Sequence, residues 1–185
     1  MASPRNVAVV VGSLRKASLN RKMALALIAM ASPALAMKIV EIGALPLYNQ
    51  DEDAQPPAPW ADFRQQIAAC DAVLFVTPEY NRSVPGALKN AIDVGSREYG
   101  KSAWAGKPAA IISVSPGLLG AFGANHHLRQ SLVFLNMPAM QQPEAYIGGA
   151  DKLFAEDGSI SNPSTKEFMG KFLAAFERWI ERNAT

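Results

Sequence analysis

At 185 residues the chain has the length of one ordinary α/β domain, and we expect a single domain over residues 1–185 with a core that needs no staples. Its 18 Lys and Arg against 16 Asp and Glu leave a formal charge of +2. With 49% apolar residues and no long basic run, that is a globular balance that excludes a charge-driven grip on nucleic acid. The one cysteine, Cys70, excludes an internal disulfide framework and fits a reducing, cytoplasmic compartment; its apolar setting before Val73–Val76 suggests a buried thiol rather than a nucleophile.

The first element is the unbroken apolar, β-branched run Val7 to Val11, stopped by Gly12. A run so short and apolar on both faces suits a parallel strand covered on both sides. The polar loop after Gly12 leads to Ser18, a natural N-cap, and to a helix over Leu19 to Met30. The first amides of a helix have no intrahelical partner and carry the positive end of its dipole, so an anion belongs there. Ser13, Ser18 and Asn20 add polar donors, and Arg15 adds a forked cation suited to phosphate. The alternative is an ordinary β-to-α connection with Ser18 a plain cap and Arg15 solvated. Neither G-x-G-x-x-G nor G-x-x-x-x-G-K-[ST] is present, which removes the main support for a dinucleotide or P-loop reading.

Arg21-Lys22 followed by an apolar stretch ending Ala34-Leu35-Ala36 imitates a signal peptide. The basic pair lies too far in, cleavage would discard the first strand and its loop, and Ser32 and Pro33 interrupt the run. We expect no membrane insertion. The helix is apolar almost all round and is expected against the sheet and a neighbour. Met37 to Ile42 reads as a second strand, followed by a long exposed loop of the kind that serves as a lid or binding segment. There Tyr48 and Asn49 either reach a ligand or form a turn beside a solvated acidic face.

A helix over Trp60 to Cys70 leads to the third strand, Ala72 to Thr77. Pro78 ends it, Glu79-Tyr80-Asn81 make a tight turn, and Ser83 before Val84-Pro85 has the form of a helix cap with proline in the first turn. Ala109 to Val114 is a fourth strand. The glycines at 117, 120 and 123 then permit close approach or positive φ before a helix that includes His126 to Phe134. A fifth strand is expected between Pro138 and Ile147, interrupted by Pro138 and Pro143. A last helix from Ser164 to Arg182 carries a core stripe of Phe168, Phe172, Leu173, Phe176, Trp179 and Ile180. Parallel strands with right-handed crossovers finish on one edge, where ligands of open sheets bind.

His126 and His127 lack any matched carboxylate or cysteine spacing and read as helix-surface or interface residues, so no metal is expected. Neither Ser13 nor Ser115 stands in G-x-S-x-G, which argues against a hydrolase nucleophile.

In combination GSLRKASLN, PLYNQD, TPEYNRSVPGALKNAID and SPGLLG, in that order, resemble the NADPH-dependent FMN reductase family, most closely its chromate and quinone reductase branch. The region after Leu135 is less diagnostic. The resemblance implies a flavodoxin-like three-layer α/β sandwich, its five-stranded parallel sheet in the order 2-1-3-4-5, with one FMN per subunit at the carboxyl edge. It implies that Ser13, Arg15, Ser18, Asn20 and the amide of Leu19 hold the phosphate. Pro78, Glu79, Tyr80, Asn81 and Ser83 line the isoalloxazine and ribityl chain, and Ser115 and Gly117 approach the ring. The activity implied is hydride transfer from NADPH or NADH to FMN and on to quinones in ping-pong order, with chromate, azo compounds and ferric chelates as looser acceptors. No catalytic side chain is needed, because the flavin performs the hard step.

Arg82 is expected either to attract the NADPH phosphate or an anion such as chromate, or to lie at an interface; Tyr80 is a flavin-edge or a dimer contact. The family forms homodimers, often paired into homotetramers, through the helices after the third and fourth strands. The alternative is a flavodoxin-type electron carrier or non-catalytic flavin-binding module. Carriers of that kind dock through strongly acidic surfaces, whereas this chain is slightly basic, which favours the enzyme.

Overall fold

The computed structural model describes residues 3–183. Three apolar runs form the middle of one sheet: β1 (Arg5–Val11), β3 (Ala72–Thr77) and β4 (Ala109–Val114), with β3 and β4 buried along their whole length. Strands covered on both faces have no reason to alternate polar and apolar residues, which is why these read as solid runs. The edges are β2 (Leu35–Val40) and the three-residue β5 (Ala145–Ile147). All four pairings are parallel, in the order β2-β1-β3-β4-β5, the expected flavodoxin-like arrangement.

The helices are α1 (Leu19–Met30), α2 (Ala58–Ala68), α3 (Gly86–Gly95), α4 (Phe122–Phe134) and α5 (Pro163–Asn183). Residues of β1, β3 and β4 that point to one side, such as Val9, Leu74 and Ile112, pack on α1 and on the Phe172–Phe176 stripe of α5. Those pointing to the other side, such as Val10, Phe75 and Ile111, pack on α2, α3 and α4 around Trp60, Phe63 and Trp104. Among the described residues no helix is long and apolar enough to cross a membrane.

Three expectations change in detail. β2 lies two residues earlier than Met37–Ile42, because an edge strand shows water one side and its apolar pattern is diluted. The fifth strand is split: Ala139 bridges Ala109, the chain leaves the sheet at 141–144, and β5 resumes at Ala145. α1 lies against the sheet and α5 as expected, with Leu25 on its open side 53% exposed. Cys70 is half-buried rather than buried; its thiol donates to Gln66 O at 3.3 Å, and desolvation pushes its pKa up.

Candidate functional site

β1 and β3 are neighbours, yet the chain leaves them in opposite senses: after β1 to α1 on one face, after β3 to α3 on the other. The two loops therefore part and leave a crevice at the carboxyl ends, the position where open α/β sheets bind ligands. Gly12 makes the parting possible. Its amide donates to Val76 O at 2.9 Å, and a Cβ there would lie 3.0 Å from Thr77 Oγ1 and 3.3 Å from Pro78 Cδ.

On the β1 side the anion-binding parts come together. Ser18 caps α1, its Oγ accepting from Arg21 N at 3.1 Å, which leaves the Leu19 and Asn20 amides at the free end of the helix. Ser13, Ser18 and Asn20 are all buried. Asn20 Nδ2 donates to Val114 O at 3.2 Å, while its Oδ1 is buried without a partner. Arg15 is exposed and stands between two clefts: one of about 330 Å³ that also includes Ser13, Arg21 and Glu41, and one of about 320 Å³ that reaches Gly12, Tyr80 and Gly86. Arg21 is not the free cation of this site. It holds Glu41 bidentately at 3.0 and 2.6 Å, a hydrogen-bonded pair that lowers the Glu41 carboxyl below its usual range and raises the guanidinium.

The β3 side is a two-residue turn. Tyr80 and Ser83 exchange both backbone bonds, at 2.9 and 3.0 Å, across Asn81 at φ 51° and Arg82 at φ 64°. Positive φ at both central residues defines a type I′ turn. The Glu79 carboxylate does not face the crevice: Oε2 accepts from Ala124 N at 3.1 Å and Oε1 from Arg82 Nη1 at 3.3 Å. Ser83 is not the helix cap expected from sequence. α3 begins after Pro85 with no side-chain cap, and Ser83 Oγ pairs instead with His127 Nδ1 at 2.7 Å. Arg82 extends into solvent, its side chain 76% exposed.

After β4, Ser115 Oγ accepts from Gly117 N at 3.0 Å, and the loop lies flat on the backbone after β5. Gly120, at φ 57°, has its Cβ position 2.5 Å from Tyr146 C, so any side chain would lift the loop. Leu118 and Leu119 face outward. His126 is exposed, as expected of a helix-surface residue, and its Nε2 meets Tyr146 OH at 2.8 Å. The Tyr146 phenol is pushed up to about 12 by burial first and Glu144 second.

Tyr48 stands apart from both clefts. Its hydroxyl donates to Asp53 Oδ2 at 2.9 Å, its ring packs on Trp60 with centroids 5.4 Å apart, and its amide donates to Asn90 Oδ1 at 2.8 Å. Asn49 makes the turn foreseen for it, accepting from Asp51 N at 3.1 Å. A cavity of about 380 Å³ between α1 and residues 157–160 is lined by aliphatic groups such as Leu25, Ala29 and Met30 together with Lys22, Asp157 and Lys166.

The edge therefore offers donors for an anion, in Ser13, Arg15 and the first amides of α1, and an open crevice between two loops. That set fits a phosphorylated planar group. Sequence reading missed the Arg21–Glu41 pair and the commitment of Glu79 to α4. The available sign of the latter was the lack of any Ser, Thr, Asp or Asn just before Phe122.

The model of the family described as NADPH-dependent FMN reductase matches residues 5–152. A quinone reductase of Pseudomonas putida is 62% identical over 184 residues, covering 99% of this chain and 98% of that protein. A 2-hydroxy-1,4-benzoquinone reductase of a Burkholderia species is 44% identical over 174 residues, covering 94% and 95%. Among solved structures, the flavoenzyme NAD(P)H:(acceptor) oxidoreductase FerB of Paracoccus denitrificans superposes with a TM-score of 0.93 at 44% identity, covering 98% and 100% of the two chains.

Proposed function

Because this chain belongs to the NADPH-dependent FMN reductase family, we propose that it reduces quinones through FMN in two alternating half-reactions. It is an oxidoreductase with FMN as cofactor and NADPH or NADH as electron donor. One observation carries the reading: the N-terminus of α1, with buried Ser13, Ser18 and Asn20 and an uncommitted Arg15, opens at the β1/β3 switch point.

When bound, FMN supplies the redox chemistry, accepting hydride from a nicotinamide and returning two electrons to an acceptor. The chain supplies position and charge. Ser13, Arg15, Ser18, Asn20 and the Leu19 amide hold the phosphate. Pro78, Tyr80, Asn81 and Ser83 line the ring and ribityl chain, Glu79 joining them through its backbone because its carboxylate is turned to α4. Ser115 and Gly117 approach from the β4 side. The Ser115 and Gly117 amides are spent on Ile147 O and Ser115 Oγ, so that this loop would act as a fixed wall, and the crevice would set the ring where donor and acceptor meet it in turn.

The quinone assignment draws on the relatives from Pseudomonas putida and Burkholderia. An open ring face discriminates poorly, so chromate, azo compounds and ferric chelates follow as secondary acceptors. Tyr80 borders the crevice and Arg82 is exposed on the same turn, and these are the residues that such acceptors or a nicotinamide phosphate would meet first. Phe122, Val133 and Phe134 of α4 are exposed, and a homodimer or paired dimers would cover them. Such an assembly would work in the cytoplasm, where a lone thiol stays reduced.

Steady-state kinetics with NADPH and a benzoquinone both varied test the mechanism. Parallel double-reciprocal lines, from a yellow protein that bleaches on adding NADPH, are expected. Intersecting lines would replace ping-pong with a ternary complex, and a yellow protein inert to both nicotinamides would be an electron carrier.

A further inference from the structure

The start of α4 is not explained by its own sequence. Its N-cap is Ala121, left-handed at φ 60° and without a side chain that can accept from the first-turn amides. The acceptor arrives from 45 residues upstream, as Glu79 Oε2. A carboxylate so placed satisfies an orphan donor and meets the positive end of the helix dipole. It gets there because residue 123 is glycine: a Cβ would lie 2.9 Å from Glu79 Oε2 and 3.1 Å from Arg82 O. The Glu79 side chain is only 16% exposed, and two further contacts, to Arg82 and from Ser83 to His127, join the same turn to itself and to the same helix.

We infer that Glu79 is a positioning residue: its carboxylate, with the clearance at Gly123, latches the Tyr80–Ser83 turn onto α4, so that the β3 and β4 walls of the crevice form one piece. The inference rests on the FMN reading above, and it adds that the latch governs how long flavin stays. A turn released from α4 has somewhere to go, because Asn81 and Arg82 hold positive φ and an arginine does not favour that region. Relaxed, the turn no longer presents its backbone to the ring at a fixed height.

Four variants test the latch: Glu79→Ala, Glu79→Gln, Gly123→Ala and the double Glu79→Ala/Gly123→Ala. Two readouts serve, the rate of FMN release followed by recovery of free-flavin fluorescence, and amide hydrogen exchange resolved along the chain. Glu79→Ala is expected to release FMN about tenfold faster, the scale of one lost charge-assisted hydrogen bond. Glu79→Gln keeps a carbonyl oxygen for the Ala124 amide and restores most of the retention. Gly123→Ala drives the carboxylate away, behaves like Glu79→Ala, and adds little in the double variant. Unchanged release in Glu79→Ala, or additive single effects, would overturn the latch. If neither wild type nor variants hold FMN, the flavin reading fails, and exchange alone decides. Faster exchange confined to the first turn of α4 and residues 79–83 in Glu79→Ala supports the latch. Equal exchange, or faster exchange in every helix, overturns it.

Discussion

Two guanidiniums share the cleft beside β1, and their partners separate their roles. Arg21 is spent on Glu41, whereas Arg15 has no ion pair or hydrogen bond among the described residues and lies at the rim between the two clefts. Arg15→Ala is therefore expected to weaken FMN about tenfold, the loss of a charged hydrogen bond, while moving stability by less than about 0.5 kcal/mol, as exposed substitutions do. Equilibrium dialysis and a urea melt check both halves; flavin retained at the wild-type level would remove Arg15 from the phosphate. Ser18's cap was legible in the sequence because it is local, the helix starting at the next residue, whereas the bond from Asn20 to Val114 O spans 94 residues and could not be read. Glu79 and Ser83 were not legible either, since the atoms they bind, on Ala124 and His127, are 45 and 44 residues away and meet them only once the sheet is ordered.

Elements were legible in proportion to their burial. β3 and β4 were read to the residue, because a strand covered on both faces writes itself as one apolar run; β2 slipped and β5 was only bracketed, because edge strands carry a mixed pattern and prolines broke the last one. The joint between α3 and the following loop could not be read at all. There the fully buried Trp104 lies on Gly95, its Nε1 donating to Ile92 O at 3.0 Å and its ring 5.8 Å from Phe63 and from Phe75. A Cβ on Gly95 would enter the indole. Alanine gains roughly 1 kcal/mol of helix propensity over glycine, but overpacking a filled core costs typically 1–3 kcal/mol. With a fixed indole as the obstacle the second effect wins, so Gly95→Ala is expected to lower the urea midpoint. A variant as stable as wild type would show that the indole can shift at no cost.

At the scale of the whole molecule, function follows from one topological fact. Five parallel strands in the order β2-β1-β3-β4-β5 bring every strand-end loop to one edge and make the chain reverse its winding between β1 and β3. The sequence showed that these loops share an edge, because right-handed crossovers leave no other choice; it did not show that the loop after β3 is held by the helix after β4, which is a property of packing. The slightly positive formal charge of +2 suits an enzyme that meets anionic nicotinamide donors, in contrast with an acidic docking protein. The most direct test is a crystal structure grown with excess FMN. The phosphate is expected within about 3.2 Å of Ser13, Arg15 and the first amides of α1, with the ring in the crevice between Gly12 and Tyr80. Flavin seated at the amino-terminal edge of the sheet, or a crevice left empty at saturating FMN, would contradict it.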